Sequence, residues 1–187
     1  MEPFVRQIYL GEIHLQCHYA LRAFKDFNAA LRRQDTEELF RVAHSVLTHV
    51  SNVSRLLWPP REREKVKWEK VKRRGVELRN ILGLPDDHLL KDRKLRDHLE
   101  HYDTRLDAWV ASSPHRIYVD RILGPKGMIG GDAIQDSDIM RHFDPTTLKF
   151  IFRGEEFELQ PIAAAIEQVA AAAKAAGEHE REQQWGR

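Results

Sequence analysis

Apolar residues in this chain recur at steps of three and four over long stretches, the spacing that lines one face of an α-helix and turns it toward a core. From about Pro3 to Arg33 the stripe is Leu10, Ile13, Cys17, Ala20, Phe24, Phe27 and Leu31. Asp35 and Glu38 then read as a capping box, the aspartate accepting an N–H three residues on while the glutamate reaches back. A second helix is predicted over 35–57, with Leu39, Ala43, Val46, Val50, Val53 and Leu57 as its seam, stopped by Trp58-Pro59-Pro60. A third, over 61–82, carries Trp68, Val71, Gly75, Leu78 and Leu82, with Gly83 placed to cap it in the left-handed conformation. A fourth, over 87–111, is opened by Pro85-Asp86-Asp87, carries Leu95, Leu99, Tyr102, Leu106 and Trp109, and is closed by Ser112-Ser113-Pro114.

After Pro114 the period changes. Residues 116–123 mix apolar and polar positions with β-branched enrichment, turn signals fall at Gly124-Pro125-Lys126-Gly127 and Gly130-Gly131, and 148–152 followed by 157–159 reads as a β-hairpin. Pro161 opens a last helix over 161–176, striped by Ile162, Ile166, Val169, Ala173 and Ala176 and ended by Gly177. The predicted fold is therefore mainly α: an antiparallel helical bundle over 3–111, a small antiparallel β-hairpin insertion near 115–160 and a closing helix. All of it forms a single domain over 1–177, with 178–187 as a polar C-terminal tail.

Composition narrows the function classes. The 187 residues suffice for a self-sufficient core, and 42% hydrophobic with 32% charged is the balance of an ordinary globular protein. A net charge of +1 gives no global signature for a polyanion, so any nucleic-acid contact must come from a local patch. Residues 61–79 hold nine Lys or Arg against four Glu. Arg61, Arg63, Lys65, Lys67, Lys70, Lys72, Arg73 and Arg74 are thus the candidate phosphate contacts; the alternative is an ordinary solvated helix face. The single Cys17 cannot close an intramolecular disulfide and falls on an apolar face, as expected in a reducing compartment. With no signal-like apolar block and no membrane-spanning run, a cytoplasmic protein with no membrane partner is expected. The Gly-rich piece over 124–131 lacks strand-loop-helix order and is not read as a nucleotide cradle.

The fourth stretch carries the densest chemistry. Arg96-Asp97-His98-Leu99-Glu100-His101 places an arginine five residues before a histidine, with a small polar residue directly after the arginine. In a helical chain this hexapeptide resembles the motif of HEPN domains, all-helical nucleotide-binding modules, many of which are metal-independent ribonucleases. The resemblance implies a homodimer with Arg96 and His101 at the cleft between protomers. There the RNA 2′-hydroxyl attacks its own phosphodiester and leaves a cyclic phosphate. His101 would move protons, its pKa being near neutrality. Arg96 would hold the phosphate through its planar, charged fork. Asp97 would orient one of them, and Tyr102 would contact substrate or complete the core. No cofactor is implied, and a toxin or defence role would add an antidote protein as partner.

Two other classes fit the same chain. His14 and His18 at i and i+4, with His98 and His101, could furnish a metal site inside a four-helix bundle, although the seams of the first two helices are filled by Leu, Val and Phe. Alternatively, the chain is a non-enzymatic dimeric interaction module whose charged helix is only an interface.

Overall fold

The structure is a computed structural model and describes residues 1–92, 102–112, 117–128, 130 and 134–185. It is mainly helical. The helices are α1 (Pro3–Arg32), α2 (Thr36–Leu57), α3 (Lys65–Ile81), α4 (Tyr102–Ser112) and α5 (Leu159–Trp185), with short 3₁₀ turns at Leu89–Lys91, Lys126–Met128 and Asp136–Asp138. The strands β1 (Ile122–Leu123), β2 (Arg141–Asp144), β3 (Lys149–Phe152) and β4 (Glu155–Glu158) form one sheet in that order.

The two leading helices form where the seams place them. Leu10, Ile13, Cys17 and Ala20 of α1 are wholly buried, and Leu39, Val53 and Leu57 of α2 likewise. The C-terminal part of α1 (Phe24, Phe27, Ala30) shares one apolar cluster with the N-terminal part of α2 (Leu39, Phe40, Ala43). The N-terminal part of α1 (Leu10, Ile13, Cys17) shares a second cluster with the C-terminal part of α2 (Val53, Leu57) and with α3. Asp35 accepts the Glu38 N–H at 3.1 Å as an N-cap. The reciprocal half of the expected capping box does not form: the Glu38 carboxylate pairs with Arg41 at 2.6 Å, and the Asp35 N–H donates to the Ala30 carbonyl instead.

Gly75 lets α3 dock against the end of α2. A Cβ there would lie 2.7 Å from the Leu57 carbonyl oxygen and 2.8 Å from Pro59. Arg79 of α3 donates to that same Leu57 carbonyl and to Asp86, and its guanidinium lies 5.5 Å over the Trp58 ring. The helix begins at Lys65 and not at Arg61, because the chain leaving Pro59-Pro60 stays irregular through Glu64.

Three sequence expectations are corrected. The fourth helix does not start at Asp87: residues 85–88 turn, Leu89–Lys91 form a single 3₁₀ turn, and Asp92 is extended. His88 is the N-cap of that turn, its side chain accepting the Leu90 N–H, and extended Asp92 closes it. The sheet is mixed and not purely antiparallel. β2–β3 and β3–β4 pair antiparallel, the latter across a tight Arg153-Gly154 turn in which both residues have positive φ. β1 pairs parallel to β2, which the long connection between them permits. The closing helix starts at Leu159, runs through Gly177 and ends at Trp185. One glycine costs a helix interior only ~1 kcal/mol. The Glu180 carboxylate holds the extension against α1 by a two-pronged pair with Arg6 at 2.8 and 3.0 Å.

Phe143, Phe150 and Phe152 of the sheet are buried on the first cluster together with Trp109 of α4 and Leu159 of α5. Ile166, Val169 and Ala173 of α5 complete the second. Among the described residues no helix is long and apolar enough to cross a membrane.

Candidate functional site

Arg96, Asp97, His98 and His101 lie outside the described residues. Tyr102, the remaining member of the proposed catalytic set, is the first residue of α4. Its ring packs edge-on to Phe152 with centroids 6.3 Å apart, and the Arg141 guanidinium lies 5.1 Å over it. Its hydroxyl is 3.1 Å from that of Tyr118. Trp109, two turns further along α4, meets the Tyr118 ring at 4.9 Å and donates from Nε1 to the Ser137 carbonyl.

This cluster fastens α4 to the sheet. The Arg141 guanidinium is taken up by a two-pronged pair with Asp120, whose hydrogen bonds raise its pKa further. Burial, and then the hydrogen bond with Tyr102, push the Tyr118 phenol well above its ordinary pKa. Neither of these two groups can act as a proton acceptor near neutrality, so their part in the cluster is to hold α4 against the sheet. Arg105, one turn beyond Tyr102, is different: its Nε is buried with no hydrogen-bond partner among the described residues.

The second region is the surface of α3. Arg61, Arg63, Lys65, Lys67, Lys70, Lys72 and Arg73 are all exposed. Lys67 pairs with Glu64 at 3.0 Å. Arg74 is withdrawn from the patch: half-buried, it lies 5.2 Å over the Tyr9 ring and donates to the Arg55 carbonyl. Six cations thus face solvent with no ion pair among the described residues, and next to them a hollow of about 840 Å³ is lined by Tyr9, Lys65, Val66, Lys70 and Arg73. The sequence showed the charge run; which of its members were already committed depends on contacts with α1 and α2 that a local reading cannot show.

Of the histidines of the alternative metal site, His14 and His18 fall among the described residues. His14 turns toward α5, its Nδ1 3.3 Å from the Ala170 carbonyl, while His18 is exposed beside Tyr19. Among the described residues no three His, Cys, Asp or Glu side chains converge as a metal-ligand group. His49, in contrast, is held by Gln16 at 2.8 Å and by the Tyr19 ring, and burial lowers its pKa. Two buried polar residues carried no sequence signal. His142 in β2 is 1% exposed and bonds the Gly124 carbonyl through Nε2. Asp138 is fully buried, with one oxygen accepting the Gln135 N–H and the other without a hydrogen-bond partner among the described residues. His142 lies in β2 itself and Asp138 in the 3₁₀ turn just before it, and the partner of His142 comes from the loop after β1.

No protein-family model, curated protein or solved structure matches this chain. The functional reading therefore rests on its own residues.

Proposed function

We propose that this protein is a HEPN-like RNA-binding protein and metal-independent endoribonuclease that works as a homodimer. The observation that carries the reading is the exposed basic surface of α3 and of residues 61–64 before it, where six cations make no ion pair among the described residues in a chain whose net charge is only +1. Such a concentration of charge steers a polyanion and holds its phosphates by releasing counterions. Arg96 and His101 supply the chemistry at a cleft between protomers, with Asp97 orienting one of them. The 2′-oxygen of the substrate attacks phosphorus, His101 accepts its proton, and the 5′-oxygen departs and is reprotonated, leaving a 2′,3′-cyclic phosphate and a 5′-hydroxyl. Arg96 balances the extra negative charge on the phosphoryl oxygens. Tyr102 is a positioning residue, since its ring and hydroxyl are already engaged by Phe152 and Tyr118.

Binding and cleavage are tested separately. Affinity for single-stranded RNA should fall with salt at a log–log slope between about −3 and −5, given ~0.7 counterion per neutralised phosphate. Replacing Lys65, Lys70, Lys72 and Arg73 by Gln should flatten that slope. Arg96→Ala and His101→Ala should each cut cleavage by ~100-fold or more; His101→Ala should leave the slope unchanged and Arg96→Ala should flatten it by ~0.7, the share of one phosphate, whereas Tyr102→Phe should change the rate only a few-fold. Cleavage should persist in EDTA. Cleavage of the matching DNA, or full activity of His101→Ala, would exclude the mechanism; binding without cleavage would leave a purely RNA-binding protein.

A further inference from the structure

α1 carries a second apolar stripe that stays exposed, although the Tyr19 ring at its end also meets that of His49 at 5.2 Å. Phe4, Ile8, Leu15 and Tyr19 are 66%, 55%, 40% and 42% exposed, and Gly11 stands midway between them on the same side. At 100° per residue this stripe lies about 170° around the helix from the buried seam Leu10, Ile13, Cys17, Ala20, Phe24 and Phe27. Large apolar side chains scattered singly on a surface need no explanation, but a contiguous line of them does.

The order along the stripe is symmetric. It reads aromatic, aliphatic, glycine, aliphatic, aromatic, with Phe4 as far before Gly11 and its neighbour Glu12 as Tyr19 is after them, and Ile8 and Leu15 placed likewise. Such an order suits a two-fold contact, in which a residue meets its counterpart and that counterpart meets it in return, because it matches apolar to apolar at every pairing. Crossing two copies of α1 antiparallel at Gly11 sets each Phe4 against the partner's Tyr19 and each Ile8 against the partner's Leu15. Gly11 supplies the second observation. Glycine is a poor residue for a helix interior, and nothing within the chain requires it here, because a Cβ at this position would find no atom within 4 Å. A glycine at the crossing point lets a second helix come close.

We infer that the outer face of α1 is a self-association surface, on which a second copy of this chain docks antiparallel through Phe4, Ile8, Gly11, Leu15 and Tyr19. The inference is independent of the ribonuclease reading, since it uses none of the motif residues. The stripe is about 22 Å long and a helix about 10 Å wide, so the seam alone falls short of the ~800 Å² per partner of a standard interface. A reversible dimer is therefore expected, with a dissociation constant on the order of 100 µM.

Sedimentation equilibrium from ~10 µM to ~1 mM, a range spanning that constant, reads this directly. Ile8→Glu and Leu15→Glu, both exposed and remote from the core seam, should each weaken association at least ~10-fold, the equivalent of ~1.4 kcal/mol, without changing the circular dichroism. Gly11→Leu separates a close crossing from general stickiness: it adds apolar surface, so unspecific association would strengthen, whereas the proposed crossing must weaken. In an Ile8→Cys/Leu15→Cys double variant, mild oxidation should join protomers between positions 8 and 15, with native Cys17 silent because burial pushes its thiol up to about 12. A protein that stays monomeric throughout, a dimer indifferent to all three substitutions, or a monomer that pellets with anionic vesicles through this face would overturn the inference. RNA cleavage is assayed in the same variants, so its loss or retention is scored apart from association.

Discussion

Gly75 joins two levels of the structure at one atom. Its place in the seam of α3 was legible from spacing alone, but the need for glycine was not, because the Leu57 carbonyl and the Pro59 ring that crowd it belong to a segment sixteen or more residues earlier. The usual effect of Gly→Ala in a helix interior is a gain of ~1 kcal/mol in stability. Here the added Cβ meets backbone at 2.7 Å, which cannot yield as a flexible side chain would. Overpacking of that kind costs ~1–3 kcal/mol and outweighs the propensity gain, so Gly75→Ala should lower the urea midpoint. A raised midpoint would mean that α3 docks less closely than described. The same locality limit explains the site. The motif pair Arg96 and His101 was visible as letters, whereas the Arg141–Asp120 pair arises from chain segments brought together by the sheet.

At the scale of elements, seams and stop signals were the legible part. α1 and α2 follow theirs within a residue or two, because a continuous stripe and a prolyl stop are properties of contiguous sequence. Asp35 illustrates both success and limit: it caps α2 as its position implies, but the partner half of the capping box lost Glu38 to Arg41. Asp35→Ala should therefore cost about 1 kcal/mol, the usual worth of a single N-cap, and Glu38→Gln much less, since the exposed pair with Arg41 contributes little. Equal losses in thermal unfolding would show that the full box operates in solution. Helix ends were less legible where opposing terms are close. The glycine penalty at Gly177 is small beside a contact such as Arg6 to Glu180, and that pairing joins residues at opposite ends of the sequence. The stretch opening at Pro85 failed for the converse reason: acidic residues suited to a helix start were used by a turn, with Asp86 drawn to Arg79.

The whole molecule is held as two apolar clusters strung along α1 and α2, one closed by the sheet and α4, the other by α3 and α5. His88 sits where the second cluster meets its polar edge and makes the assembly sensitive to pH. Its ring stacks on Trp58 at 5.5 Å with 11° between planes, and the other cation near that indole is Arg79, also at 5.5 Å. His88 Nδ1 accepts the Leu90 N–H, a bond only the unprotonated nitrogen can make. Burial lowers its pKa, against smaller raising effects of Asp87 and of a hydrogen bond with Gln168 in α5. The unfolded chain therefore binds a proton near pH 6.5, before the folded chain does. Stability from this group is complete above that pH and is lost as pH falls through the folded value. His49, its pKa lowered by burial between α1 and α2, acts in the same direction. Urea unfolding between about pH 8 and 5 should accordingly be flat above about pH 7 and fall below about 6.5, ahead of the carboxylate range. His88→Gln, which keeps an acceptor for the Leu90 N–H without a titrating ring, should remove part of that fall, and adding His49→Gln should remove most of the remainder. A fall unchanged in the double variant would assign the pH response to other groups and would mean that His88 accepts its proton without disturbing the junction of α2, α3 and α5.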